Sequence, residues 1–212
     1  MTTRVFSIRE ALRFGWNTAN NNLGFFIGLS IVFGLLFIFP AIIAGIALQI
    51  NTFLGIIFHI ADYALTLLIS IGLVKIALRF CDGEKSGLSD LFSQYRLFFK
   101  YLFTYILYGL IIFGGTLLLI VPGIIWAIKY QFCLHLVIDK GLGPIESLKT
   151  SAILTKGVKW RLYLFSLVAI GINIVGALSM IVGLFVTVPT TMVALAFIYR
   201  KLLAQTQMTP MS

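Results

Sequence analysis

The chain predicts an all-α polytopic membrane protein with six transmembrane helices, arranged as three hairpins, each preceded by a short amphipathic interfacial helix. Three observations carry this expectation. Six apolar segments each approach the ~20 residues that a helix needs to cross a hydrocarbon core of ~30 Å. Hydrophobic residues make up 60% of the 212 and charged residues only 11%, whereas a soluble domain holds roughly 25% charged residues. All but Lys129 of the 16 lysines and arginines fall on alternate connectors or on the span ends beside them. Residues 1–212 are read as a single integral membrane domain.

The spans are expected near residues 24–49, 53–79, 98–120, 123–139, 161–182 and 184–203. A polar lead precedes the first, which then runs apolar from Gly24 almost to Gln49. This differs from a secretory signal, whose apolar core is ~7–15 residues long. The fourth span is short and holds Lys129, Gln131 and His135. Such a segment crosses beside neighbours that shield it, or enters as a re-entrant half-helix. The charge-free connectors near Asn51, Pro122 and Gly183 favour a full crossing, because otherwise the later cations would change sides.

The cations then set an orientation. Connectors rich in Lys and Arg resist translocation, which predicts that both termini are cytoplasmic. The net charge of +9 would suggest nucleic acid in a soluble protein. Confined to connectors, it points instead to anionic lipid headgroups on the cytoplasmic side, with a membrane-protein partner as a further expectation and no nucleic acid.

Each hairpin has its own prelude. Ser7-Ile8-Arg9-Glu10 fits a helix-capping box, Ser89-Asp90 follows Gly87, and Pro144 with Glu146 places proline and an acid in a first turn. The resulting units, 6–80, 87–139 and 143–203, form a candidate threefold repeat. Any six-span protein also divides into three hairpins, so the repeat competes with plain topology. Gly24 and Gly28, Ala41 and Gly45, and Ser179 and Gly183 are four residues apart, a spacing that lets membrane helices approach closely.

Ionisable groups in a bilayer are costly and rare. His59, Asp62, Lys129 and Asn173 therefore form the candidate intramembrane polar site. At ~1.5 Å per residue, Asp62 and Lys129 lie at similar depth and are expected to pair or to share a polar pocket. Such a pair serves as a proton, ion or headgroup site, or as an interhelical contact with Lys129 snorkelling to the surface. His59 and Asp62 share a helix face, but no third ligand completes a metal site. Cys81 and Cys133 read as small filler residues. No phosphate-cradling loop, nucleophile elbow or dinucleotide fingerprint is present, so no catalytic residue and no cofactor is predicted.

Several stretches together carry a resemblance. They are Ile8-Arg9-Glu10-Ala11-Leu12-Arg13-Phe14-Gly15-Trp16, Leu88-Ser89-Asp90-Leu91-Phe92, Ile120-Val121-Pro122-Gly123-Ile124-Ile125, Val137-Ile138-Asp139, and Gly143 to Ser151 followed by Thr155-Lys156-Gly157. The chain resembles a loose superfamily of bacterial inner-membrane proteins. It includes the YciC-like uncharacterised proteins and the membrane domain that precedes some glycerophosphodiester phosphodiesterases. The resemblance implies a six-helix protein of the bacterial inner membrane. It transfers no catalytic residue, because the phosphodiesterase chemistry of fused relatives belongs to a separate soluble barrel.

Two functions follow. One is a non-enzymatic membrane protein that organises lipids or partner proteins. The other is a small transporter or permease for a lipid-related or amphipathic solute, for which Asp62, Lys129, His59 and Asn173 would supply the site. Convergence of the polar residues on one cavity favours the second; separate placement favours the first.

Overall fold

The computed structural model describes residues 5–179 and 183–207. Every regular element among them is helical, and six helices are long and apolar enough to cross a membrane. The first hairpin is α2 (Leu23–Ile50) and α3 (Thr52–Cys81), preceded by α1 (Ile8–Asn21). The second is α4 (Phe98–Leu118) followed by α5 (Ile120–Tyr130) and α6 (Cys133–Lys140), preceded by two 3-10 turns at Leu88–Leu91 and Tyr95–Leu97. The third is α8 (Lys159–Leu178) and α9 (Leu184–Gln207), preceded by α7 (Pro144–Leu154).

Local chemistry explains the boundaries. Asn51 alone separates α2 from α3, and its Oδ1 accepts from the backbone N–H of Phe53 at 2.8 Å and Leu54 at 3.2 Å. That caps two of the donors a helix start leaves unmade. Pro122 falls in the first turn of α5, where a missing N–H costs nothing. Pro40 and Pro189 lie inside continuous helices. Gly141 ends α6 in the left-handed conformation, with φ +66°. The second prelude is tighter than an α-helix because Asp90 folds it. Its Oδ2 accepts from the N–H of Gly87 at 2.9 Å, while its Oδ1 accepts from Arg79 at 2.7 Å.

The core sits where α6, α7 and α9 meet. Phe132, Leu136, Val137, Leu154, Leu162 and Tyr199 are fully buried there. Half of the apolar window of α9 is buried, but only 11% of that of α2. The outer surfaces of α2, α4 and α8 carry long apolar side chains with no protein cover, such as Leu117 and Leu178. A water-soluble protein does not expose so large an apolar surface; a bilayer covers it at no cost.

The prelude α1 is docked rather than free. It runs antiparallel along α9. Val5 and Gln205 exchange hydrogen bonds at 3.2 and 2.9 Å, Glu10 pairs with Lys201 at 2.6 Å, and the rings of Phe14 and Phe197 stack at 4.7 Å. Ala11, Gly15 and Ala19 form its buried seam. A Cβ on Gly15 would run into the carbonyl oxygen of Thr190.

The small-residue pairs divide. A side chain on Gly24, Gly28 or Gly45 would meet open space, so these glycines join no helices within the chain. Close packing falls elsewhere: Gly115 against Gly123 and Gly176 against Gly183 bring the arms of the second and third hairpins together near their tips. Gly183 thus packs on Gly176, not on a seam shared with Ser179.

Gly15→Ala should therefore destabilise the protein by about 1–3 kcal/mol through overpacking, and should expose α1 to protease. Gly28→Ala should leave both readings unchanged. Thermal unfolding and limited proteolysis of the two variants check this.

Candidate functional site

The fourth crossing is a broken helix. Between α5 and α6 the chain turns at Gln131 and Phe132, and the helical hydrogen-bond ladder is interrupted. In a membrane, such a break needs internal partners for the freed groups. The prelude α7 supplies them. Ser151 Oγ accepts from the N–H of Phe132 at 3.2 Å and donates to the carbonyl of Lys129 at 3.1 Å. Thr155 Oγ1 donates to the same carbonyl at 3.0 Å. Ser147, Ser151 and Thr155, four residues apart, are all fully buried. The third prelude, α7, is thus a structural member of the bundle.

Just past the break lies an ionic clasp. Asp139 accepts from the hydroxyl of Tyr199 at 2.8 Å and from Arg200 Nη1 at 2.7 Å. Arg200 Nη2 reaches Asp82 at 2.5 Å, and Lys140 stands 3.7 Å from Asp139. The Asp139 side chain is only 9% exposed. The His135 ring packs against Phe132 and Tyr199, and its Nδ1 has no hydrogen-bond partner among the described residues.

The four predicted polar residues are not brought together. His59 is exposed on α3. Asp62 is half-buried and lines a 210 Å³ crevice between α2 and α3 with Phe39, Pro40, Ile43 and Phe58; its Oδ1 has no hydrogen-bond partner among the described residues. Lys129 lines a different, 550 Å³ crevice with Leu107, Ile111, Leu148 and Ala152, and its ammonium lies 4.9 Å from the Tyr130 ring centre. Asn173 donates to Thr191 Oγ1 at 3.2 Å, which ties α8 to α9. Asp62 and Lys129 therefore form no ion pair with each other and line different crevices. The expectation fixed their depth along the helices but not their lateral position. The helix α5 packs on α4, α7 and α8, whereas α3 packs on α2, α9, α4 and α6.

The residues that sequence reasoning missed as a site are Asp82, Asp139, Tyr199 and Arg200. Their signal was available only in part: Asp139 closes the stretch Val137-Ile138-Asp139, and both aspartates follow apolar runs. Nothing in spacing joins positions 60 or 118 residues apart. No group of three or more His, Cys, Asp or Glu able to hold a metal occurs among the described residues.

Other described cations gather at the same end of the bundle, opposite the hairpin tips. Arg79 pairs with Glu84 and Asp90, Lys100 donates to the carbonyl of Gly141, and Arg161 donates to that of Phe6. Arg9 and Arg13 are exposed and make no ion pair or hydrogen bond with any described residue.

This geometry belongs to a six-helix membrane protein with a knitted basic end. No family model matches the chain, and no solved structure matches it. Two curated relatives are the uncharacterized protein Rv2560 of Mycobacterium tuberculosis and the uncharacterized protein Mb2590 of Mycobacterium bovis. Each is 30% identical over 156 residues, covering 74% of this chain and 47% of the relative. The chain thus spans about half the length of the curated relatives it matches.

Removing the α7 hydroxyl at the break should be costly. Ser151→Val leaves a buried N–H and a carbonyl underbonded, at about 1–3 kcal/mol. Ser166→Val, at a hydroxyl that bonds only its own helix at 3.0 Å, should cost far less. Denaturant titration in detergent compares the two.

Proposed function

We propose that this chain is a non-enzymatic protein of the bacterial cytoplasmic membrane, with both termini cytoplasmic, that organises lipids or partner proteins at the cytoplasmic face. The observation that carries this reading is the separation of the intramembrane polar residues. Asp62, Lys129 and Asn173 lie in three separate places among the described residues, which supports an organiser over a shared intramembrane site. The basic end, by contrast, is continuous: its ion pairs join α1, α3, α6 and α9, and Arg9 and Arg13 there are exposed and unengaged by any described residue. Cations in that arrangement suit anionic headgroups, and a nucleic-acid role has no support. The resemblance to the YciC-like proteins agrees with the inner-membrane setting.

A second reading, a small transporter for a lipid-related or amphipathic solute, rests on one observation. Asp62 presents to an apolar crevice beside Pro40 a carboxylate oxygen with no partner among the described residues.

Native mass spectrometry of the gently extracted protein separates the two. The organiser reading expects retained phospholipid or a protein partner, in a profile unchanged by Asp62→Asn and by Lys129→Gln. A retained small solute that disappears in either variant would overturn it in favour of transport.

A further inference from the structure

A groove of 730 Å³ lies between α1, α8 and α9, lined by Ile8, Leu12 and Trp16 with Ile172 and Thr190, and rimmed by Arg9 and Arg13. We propose that it is a discrete binding site for one anionic phospholipid, with an acyl chain in the groove and the headgroup phosphate held by Arg9 and Arg13. The inference deepens the lipid part of the proposed function and rests on that reading.

The floor of the groove suits hydrocarbon. The Thr190 hydroxyl donates to the carbonyl of Val186 at 2.7 Å, so it offers the groove no free donor. Gly15 draws α1 tight against the Thr190 backbone, which fixes one wall. Ile172 shares a helix face with Val168 and Val175, three to four residues away. Both of those are exposed on α8, so the groove continues into a surface that lipid tails already cover. A soluble ligand would have to leave that continuity open to hydrocarbon.

The rim suits a phosphate. Arg9 and Arg13 are four residues apart on α1, so their stems stand ~5–6 Å from each other and their guanidiniums reach one anion. Neither is engaged by a described residue. The acid between them, Glu10, is neutralised by Lys201 at 2.6 Å. Arg161, held at the Phe6 carbonyl, adds positive potential near the start of α1. Trp16 is half exposed at the groove, and indole rings favour the headgroup level of a bilayer.

The test uses the full chain in nanodiscs that contain phosphatidylglycerol and phosphatidylcholine, followed by native mass spectrometry of retained lipid. Wild type should keep one phosphatidylglycerol in preference to phosphatidylcholine. Arg9→Gln with Arg13→Gln should weaken that retention by roughly tenfold to thirtyfold. Ile172→Trp, which fills the groove and leaves the charges in place, should also lose it. Lys149→Gln with Lys156→Gln, on the α7 side, should keep it. Equal loss in both charge variants overturns the discrete site while the broader basic-face reading survives. No preference for phosphatidylglycerol in wild type overturns both. A retained acidic protein in place of lipid, lost with the two arginines, would make the groove a protein-docking site and overturn the lipid assignment.

Discussion

A single guanidinium touches all three hairpins. Arg200 stands on α9 of the third hairpin, Asp139 on α6 of the second, and Asp82 just after α3 of the first. Between membrane helices there is no hydrophobic drive to associate, because lipid tails cover apolar side chains as well as other helices do. Polar closures and close packing then decide which arrangement is unique. The Arg200–Asp139 half of the clasp is the stronger, since Asp139 is 9% exposed and Tyr199 supplies it a second hydrogen bond. The Asp82 half lies nearer solvent and is worth less.

The remaining architecture follows from that anchor and from α9. Because α9 is fixed at Arg200, its length can receive α1 on one side, through Gly15 and the Phe14–Phe197 stack, and α8 on another, through Asn173 and Thr191. The fourth span breaks immediately before α6, and the clasp holds the far side of that break while Ser151 and Thr155 of α7 hold the near side. A helix interrupted in this way keeps its backbone satisfied without water. It also aims Asp139 at Arg200. The long α2–α3 hairpin is tied in mainly along its inner half, and its outer half presents Phe53, Ile57 and Ile60 outward.

Much of this was legible in the chain. Length and apolarity mark the six spans, because the bilayer imposes one length on any crossing. The cap signals Ser7 and Pro144 mark two prelude helices close to where they start. The polarity of Lys129, Gln131 and His135 marks the fourth span as unusual, and the break falls among them. Lateral arrangement was not legible. Depth along a helix is a one-dimensional quantity, and it brought Asp62 and Lys129 level without saying that different helices flank them. Four-residue glycine spacing likewise cannot say which face meets a partner: Gly24 and Gly28 meet none within the chain, whereas Gly15 and Gly176, outside those pairs, mark the tight contacts. The clasp joins residues whose separation in sequence carries no periodic signal at all.

The clasp of Arg200, Asp139 and Asp82 holds the three hairpins in one arrangement. The measurement is equilibrium unfolding in detergent of Arg200→Met, Asp139→Leu and the double variant, read as a double-mutant cycle. Arg200→Met leaves the nearly buried Asp139 without its guanidinium and should cost about 3–5 kcal/mol. Asp139→Leu leaves Arg200 with Asp82 and should cost less, and the double variant should lose clearly less than the sum. An unfolding midpoint for Arg200→Met equal to that of wild type, or single losses that simply add, would contradict the account.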